Sequence, residues 1–316
     1  MKKILLIFCA FTLVTACENE PLDPDFTGGN NNGGGNGSES GDLTLATYQL
    51  DTDVNLSLFG LPIQTSTNST FNITNNLITS GTNAISVSGS PFVPEELAIT
   101  HNDSDQVVSI ISTGSGNITT NETIVTYTNG NISQISYDYY EGDADDYIYN
   151  FTYENNVITR TQVGSSITTE FTLDGFDRVI KKESFDDGVS IQIETVTYNG
   201  LGNINNSIAT GELERNSSFG FDSNTNPLQI VYNSEYLLSF LNDEYSDEIG
   251  PNIAQFHSTN NWNSYIINGE SFDFDLEYNS SGRINTREIS FSASDSQNGV
   301  SGSVSVAISE VFNYVN

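Results

Sequence analysis

Apolar and polar residues alternate one by one along most of this chain, and that period leaves few choices of fold. In SFDFDLEY (271–278), Phe272, Phe274, Leu276 and Tyr278 fall on one face, with Asp273, Asp275 and Glu277 on the other. DYIYNFTY (146–153) sets Tyr147, Tyr149, Phe151 and Tyr153 against Ile148, Asn150 and Thr152. Ile135, Tyr137 and Tyr139 repeat the pattern, as do Val304, Val306 and Ile308. A period of two belongs to strands, whose successive side chains point to opposite faces, and a polar second face marks antiparallel sheets with one wet side. The fold class predicted is all-β: a long antiparallel meander of β-hairpins making a strongly twisted sheet or a partly closed barrel.

A recurring turn joins the strands. EYNSSGRI (277–284) reads aromatic, Asn, two small residues, Gly, Arg, apolar. TLDGFDRV (172–179) keeps Asp174 and Arg178 in the same places, and TYNGLGNI (197–204) keeps Tyr198, Asn199, Gly202 and Ile204. GFDSNTNP (220–227) keeps Phe221 and Asp222, while TYTNGNI (126–132) and TYENNVI (152–158) are a residue shorter. The aromatic closes a strand, Asn or Asp folds its side chain back on the backbone, and Gly or Asn accepts positive φ. These units resemble the strand-turn-strand units of YD-repeat (RHS-like) proteins, and more closely Bacteroidetes-type surface lipoproteins built from degenerate versions. The resemblance covers roughly residues 120–290 and implies a meander of repeats with no catalytic residue, because the repeat positions are turn and core positions.

One stretch departs from the rhythm, an insert placed at about residues 227–270. NSEYLLSFLNDE (233–244) reads as a short helix capped by Ser234, with Tyr236, Leu237, Phe240 and Leu241 on one side, and the insert is expected to cover an open end or edge of the sheet. PFVPEEL (91–97) is read as adding a helical turn from Pro94.

The first 41 residues concern address. Lys2 and Lys3 precede an apolar stretch, Ile4–Val14, too short for a comfortable membrane span. VTAC (14–17) resembles the lipobox of bacterial lipoproteins. That resemblance implies a signal peptide over 1–16, cleavage between Ala16 and Cys17, and lipidation (palmitate among the acyl groups) at Cys17. Glu18, Glu20, Asp23 and Asp25 resemble the acidic export signal of surface lipoproteins. With the Gly- and Asn-rich run Thr27–Gly41 they form a flexible tether over 17–41, ahead of a β domain over 42–316. The expected location is the outer membrane, lipid-anchored and facing the exterior. Cys9 goes with the signal, so the mature chain has neither reactive thiol nor disulfide.

The formal charge is −32, and only seven basic residues remain beyond Lys2 and Lys3. Such a chain does not grip nucleic acid, whose affinity rests on clustered Lys and Arg. The two histidines, His101 and His257, stand in no recognisable triad and are too few for zinc. No cofactor is expected. Calcium is the ion to weigh, with candidates Asp143, Asp145 and Asp146 in EGDADDY, a segment that also reads as a charged hairpin tip. Trp262 and Tyr265, flanked by amides in NNWNSY, are candidates for binding a ligand such as a glycan, and a packed aromatic is the competing reading. The functional expectation is a non-enzymatic binding or structural role, with a glycan or an envelope protein as partner. The alternative is a glycan-active hydrolase using a pair among the 41 carboxylates.

Overall fold

The computed structural model describes residues 44–58, 61–140, 146–297 and 300–315. The strands are β1 (Leu45–Leu58), β2 (Leu61–Thr74), β3 (Leu77–Val87), β4 (Val93–His101), β5 (Val107–Gly114), β6 (Ile118–Thr128), β7 (Asn131–Tyr139), β8 (Tyr147–Glu154), β9 (Val157–Gln162), β10 (Ile167–Leu173), β11 (Val179–Asp186), β12 (Val189–Tyr198), β13 (Ile204–Gly211), β14 (Arg215–Thr225), β15 (Asn260–Ile267), β16 (Glu270–Asp273), β17 (Asp275–Tyr278), β18 (Ile284–Gln297) and β19 (Val300–Tyr314). Each pairs antiparallel with its sequence neighbour, β16 with β17 excepted, and β19 returns to pair with β1 along nearly its whole length. β16 and β17 are halves of one strand broken at Phe274. The first half bonds β15 and the second β18, which leaves a loosened seam in an otherwise closed barrel-shaped sheet. PFVPEEL is extended, not helical: Val93 opens β4, as a residue before proline is pushed out of the helical region.

The connections alternate between two ends. Four of those at one end share a five-residue loop: Asn102–Gln106, Asp174–Arg178, Asn199–Asn203 and Asn279–Arg283. In each, the first side chain accepts the backbone N–H two and four residues on. The fourth residue has positive φ: Asp105 +62°, Asp177 +58°, Gly202 +91° and Gly282 +74°. The shorter copies are two-residue turns with both residues at positive φ, Asn129-Gly130 and Asn155-Asn156. Asp222 makes no such turn; it lies within β14 and accepts from Asn224 and Asn261. Tyrosines at strand ends tie neighbouring hairpins. Tyr127 donates to Val107 O, Tyr153 to Ile132 O, Tyr198 to Val179 O and Tyr314 to Ile284 O, each at 2.9–3.0 Å.

At this same end the β14–β15 connection is replaced by the insert: α1 (Pro227–Tyr232), a 3-10 turn (Asn233–Glu235), α2 (Leu238–Leu241), α3 (Ile249–Asn252) and a π turn (Ile253–His257). Asn226 caps α1 by accepting from Leu228 N–H. Ser234 caps no helix; its hydroxyl bonds Val231 O. The insert does more than cover an open end: it enters at this end, where Ile230 and Asn233 stay exposed and Tyr236 bonds Tyr198 and Val179. It runs inside the barrel to the far end and back. Leu228, Leu238, Phe240, Leu241, Ile249, Ile253 and Ala254 are wholly buried against inward residues such as Tyr48, Ile78, Phe171 and Val196. These short helices are mostly apolar and turn their buried residues to the wall, while α1 leaves Ile230 exposed at the end where the insert enters.

Outward faces are wet. Thr47, Gln49, Asp51, Asp53 and Asn55 alternate with the inward Tyr48, Leu50, Thr52 and Val54 on β1. Lys181 and Glu183 flank Lys182 on β11, and Asp275 and Glu277 are exposed on β17. A lipid-facing barrel needs an apolar outer band and a polar interior; here the outer faces of these strands carry charges, and the interior combines an apolar core with buried ion pairs. Among the described residues no helix is long and apolar enough to cross a membrane.

Candidate functional site

Wall charges hold the insert. Arg160, inward on β9, donates from Nη1 to the carbonyls of Leu241 and Asp243 and from Nη2 to Thr169 Oγ1, with its guanidinium 4.4 Å above the Tyr149 ring. Lys182 Nζ reaches Glu244 O and Asp247 O at 2.6 and 2.8 Å. Arg160 satisfies the last carbonyl of α2 and one just beyond it, and Lys182 satisfies two carbonyls of the loop between α2 and α3. At the N-terminus of α3 the sign reverses, and Glu194 accepts from Ile249 N–H (2.6 Å) and Gly250 N–H (2.9 Å). Arg160 and Glu194 each complement the helix end they meet. Burial lowers the pKa of Arg160 and of Lys182 and raises that of Glu194. Arg215 pairs with Glu248, whose pKa burial pushes up to about 8 against that pairing. Arg287 grips Glu310, which also accepts from Tyr48 and Gln255 and so pins the β1–β19 closure. Four of the seven basic residues beyond Lys3 are thus inside the barrel, and the outer surface is left strongly acidic.

Where the insert turns back, its loop 242–248 meets the far end of the wall and leaves a cavity of about 380 Å³. The rings of Tyr147, Tyr149 and Tyr245 line it, Arg160 and Thr169 lie deeper in its wall, and Asp146, Gln162 and Glu244 complete its polar side. Alternation along β8 and β9 turns Tyr147, Tyr149, Arg160 and Gln162 inward. Tyr147 stacks on Tyr137 and bonds Asn242 Oδ1 at 3.0 Å. Burial raises the Tyr149 pKa, so its hydroxyl stays protonated. Connections β7–β8 and β9–β10 lie at this end, whereas β1 begins at the opposite one, where Val315 N–H bonds Thr44 O. About 25 Å of strand separates the two ends.

The structure disperses the residues singled out in the sequence. Trp262 and Tyr265 sit in the packed wall: Trp262 lies against Phe219, Tyr265 and Phe274, its Nε1 donating to Ser264 O, and Tyr265 shares a hydrogen bond with Ser217. Asp146 is at the cavity mouth and accepts from Tyr139 N–H. Asp143 and Asp145 lie outside the described residues, as do Ala16 and Cys17. Among the described residues no three His, Cys, Asp or Glu side chains gather as a metal site. His101 is half-buried at the end of β4, and buried His257 packs among Tyr232, Tyr236 and Phe240, with Ser239 Oγ 3.1 Å from Nε2. The sequence does not place the cavity residues together, because only the insert brings Glu244 and Tyr245 to β8 and β9. The available signal was Arg160 at an inward position of β9.

No family model matches the chain, and no curated protein matches it. Among solved structures it is similar to a porin-like protein from Bacteroides uniformis, at 11% identity and a TM-score of 0.46, over 85% of this chain and 98% of that one. It is also similar to a chain of the TcdB2-TccC3-Cdc42 structure, at 10% identity and a TM-score of 0.29, over 74% of this chain and 14% of that one.

Proposed function

We propose that this protein is a lipid-anchored component of the cell envelope, displayed at the outer membrane facing the exterior, that binds its partner without transforming it. The observation that carries the reading is the opposition of the two ends. Thr44, where the tether enters, is at the end of the Asx loops, and the cavity opens at the other. A lipid on Cys17 would hold the loop end toward the bilayer and present the cavity outward. The wet outer wall supports attachment by the tether alone. A binding role is supported by an interior filled with the chain's own insert. The inward carboxylates Glu194, Glu248 and Glu310 are engaged there with backbone or arginine, and none of them lines the cavity. Metabolic labelling with a palmitate analogue tests the anchor: label is expected on the native chain and absent from Cys17→Ser. Protease shaving of intact cells tests display, and a protected domain would overturn it. The hydrolase alternative predicts release of reducing ends from a glycan; no release is expected.

A further inference from the structure

We infer that the far-end cavity is a binding site for an uncharged, polyhydroxylated ligand, a short saccharide; this deepens the binding role proposed above and rests on it. The cavity's 380 Å³ is within the range of small-molecule sites. Three polar groups face it with no hydrogen-bond partner among the described residues: the Tyr149 hydroxyl, the Gln162 amide and the Glu244 carboxylate. Tyr149 is 7% exposed, so its hydroxyl is an unpartnered group on an otherwise buried side chain. Together the three offer donors and acceptors of several geometries at one place, with tyrosine rings beside them.

Charge and chemistry then select the ligand class. An anion meets Asp146 and Glu244 in a chain of charge −32, while the one cation at the site, Arg160, already donates to Leu241 O, Asp243 O and Thr169. A purely apolar ligand would dry Gln162 and Glu244 without replacing their hydrogen bonds with water, at a penalty that outweighs the contact it gains. A cationic amine only donates, so it would pair with Glu244 and leave the Gln162 N–H donors unanswered. A sugar ring resolves these conflicts. Its hydroxyls both donate and accept, it brings no charge, and its C–H faces pack on aromatic rings.

The test uses the full chain in detergent and neutral oligosaccharides as the probe (xylo-, manno-, cello- and malto-oligosaccharides), with oligouronates and glucosamine oligomers as charged counterparts, read by calorimetry. At least one neutral series is expected to bind. Tyr149→Phe and Gln162→Leu are each expected to weaken binding roughly fivefold or more, the loss of about one hydrogen bond. Ile208→Ala on the outer wall should leave binding unchanged. Thermal midpoints of the variants separate lost binding from lost folding, and Tyr149→Phe removes a hydroxyl that no described group uses. No binding of any neutral series, binding untouched by both cavity variants, or a preference for either charged series would overturn the inference. A chain that is lipidated and shaved from cells yet binds no saccharide would sink this inference and leave the envelope reading standing.

Discussion

Tyr198 condenses the logic of the fold into one hydroxyl. It lies 3.0 Å from Val179 O and 3.1 Å from the Tyr236 hydroxyl, which itself accepts from Val179 N–H, so a strand pair and the insert meet there. Tyr198→Phe should cost about 1–2 kcal/mol, seen as a lower urea midpoint at unchanged slope, whereas exposed Tyr140→Phe should stay within about 0.5 kcal/mol. His257 makes the second prediction at this scale. Burial lowers its pKa from 6.5 to about 3. Between those values the unfolded chain takes up a proton that the folded chain refuses, so stability falls as pH drops through that window, by up to about 1.4 kcal/mol per pH unit. In His257→Gln that part of the slope should vanish. Parallel curves of unfolding free energy against pH for the two proteins would contradict the assignment.

At the scale of elements, the loops were the most legible part of the chain because their chemistry is local. An Asn or Asp, a residue at positive φ three positions on and an apolar residue after the loop suffice, and Asp174, Asn199 and Asn279 announce three of the four. The Asn102 loop is the least legible copy, since His101 stands where the others carry Leu or Tyr. Gly282 tests the motif: a Cβ there would meet nothing within 4 Å, so Gly282→Ala isolates the cost of φ +74°. About 1 kcal/mol is expected by chemical denaturation. The helical reading of PFVPEEL failed because two prolines drew attention from the alternation of Val93, Leu97 and Ile99. Trp262 and Tyr265 looked available only because their place in β15 depends on Phe219 and Phe274, far apart in sequence.

For the molecule as a whole, the insert is what the strand pattern could not disclose. Helices of four to six residues carry no sustained period, and nothing local says that they belong inside. The trace was charge at inward positions. Lys181 and Lys182 are adjacent, and alternation sends Lys181 outward to Glu183 and Lys182 inward to the insert. Because Arg160, Lys182, Glu194 and Arg215 are matched by the insert, replacing 226–259 with a five-residue Asx loop should leave buried charges unpaired, each at a cost of several kcal/mol. Loss of cooperative unfolding and gain of dye-binding hydrophobic surface are expected. A sharp melt near that of the native chain would show that the wall stands without its filling.

The opposition of the two ends also sets how the protein bears load. A partner pulling at the cavity and a tether holding Thr44 would stretch the molecule along its strands. In the proposed arrangement the pull from the tether would enter through β1, which is bonded on both sides along nearly its full length, to β2 and to β19. Force along that axis loads these two ladders in shear, so many hydrogen bonds must yield together instead of unzipping in turn. The strand next to the proposed anchor would therefore be the one best built to resist being pulled out.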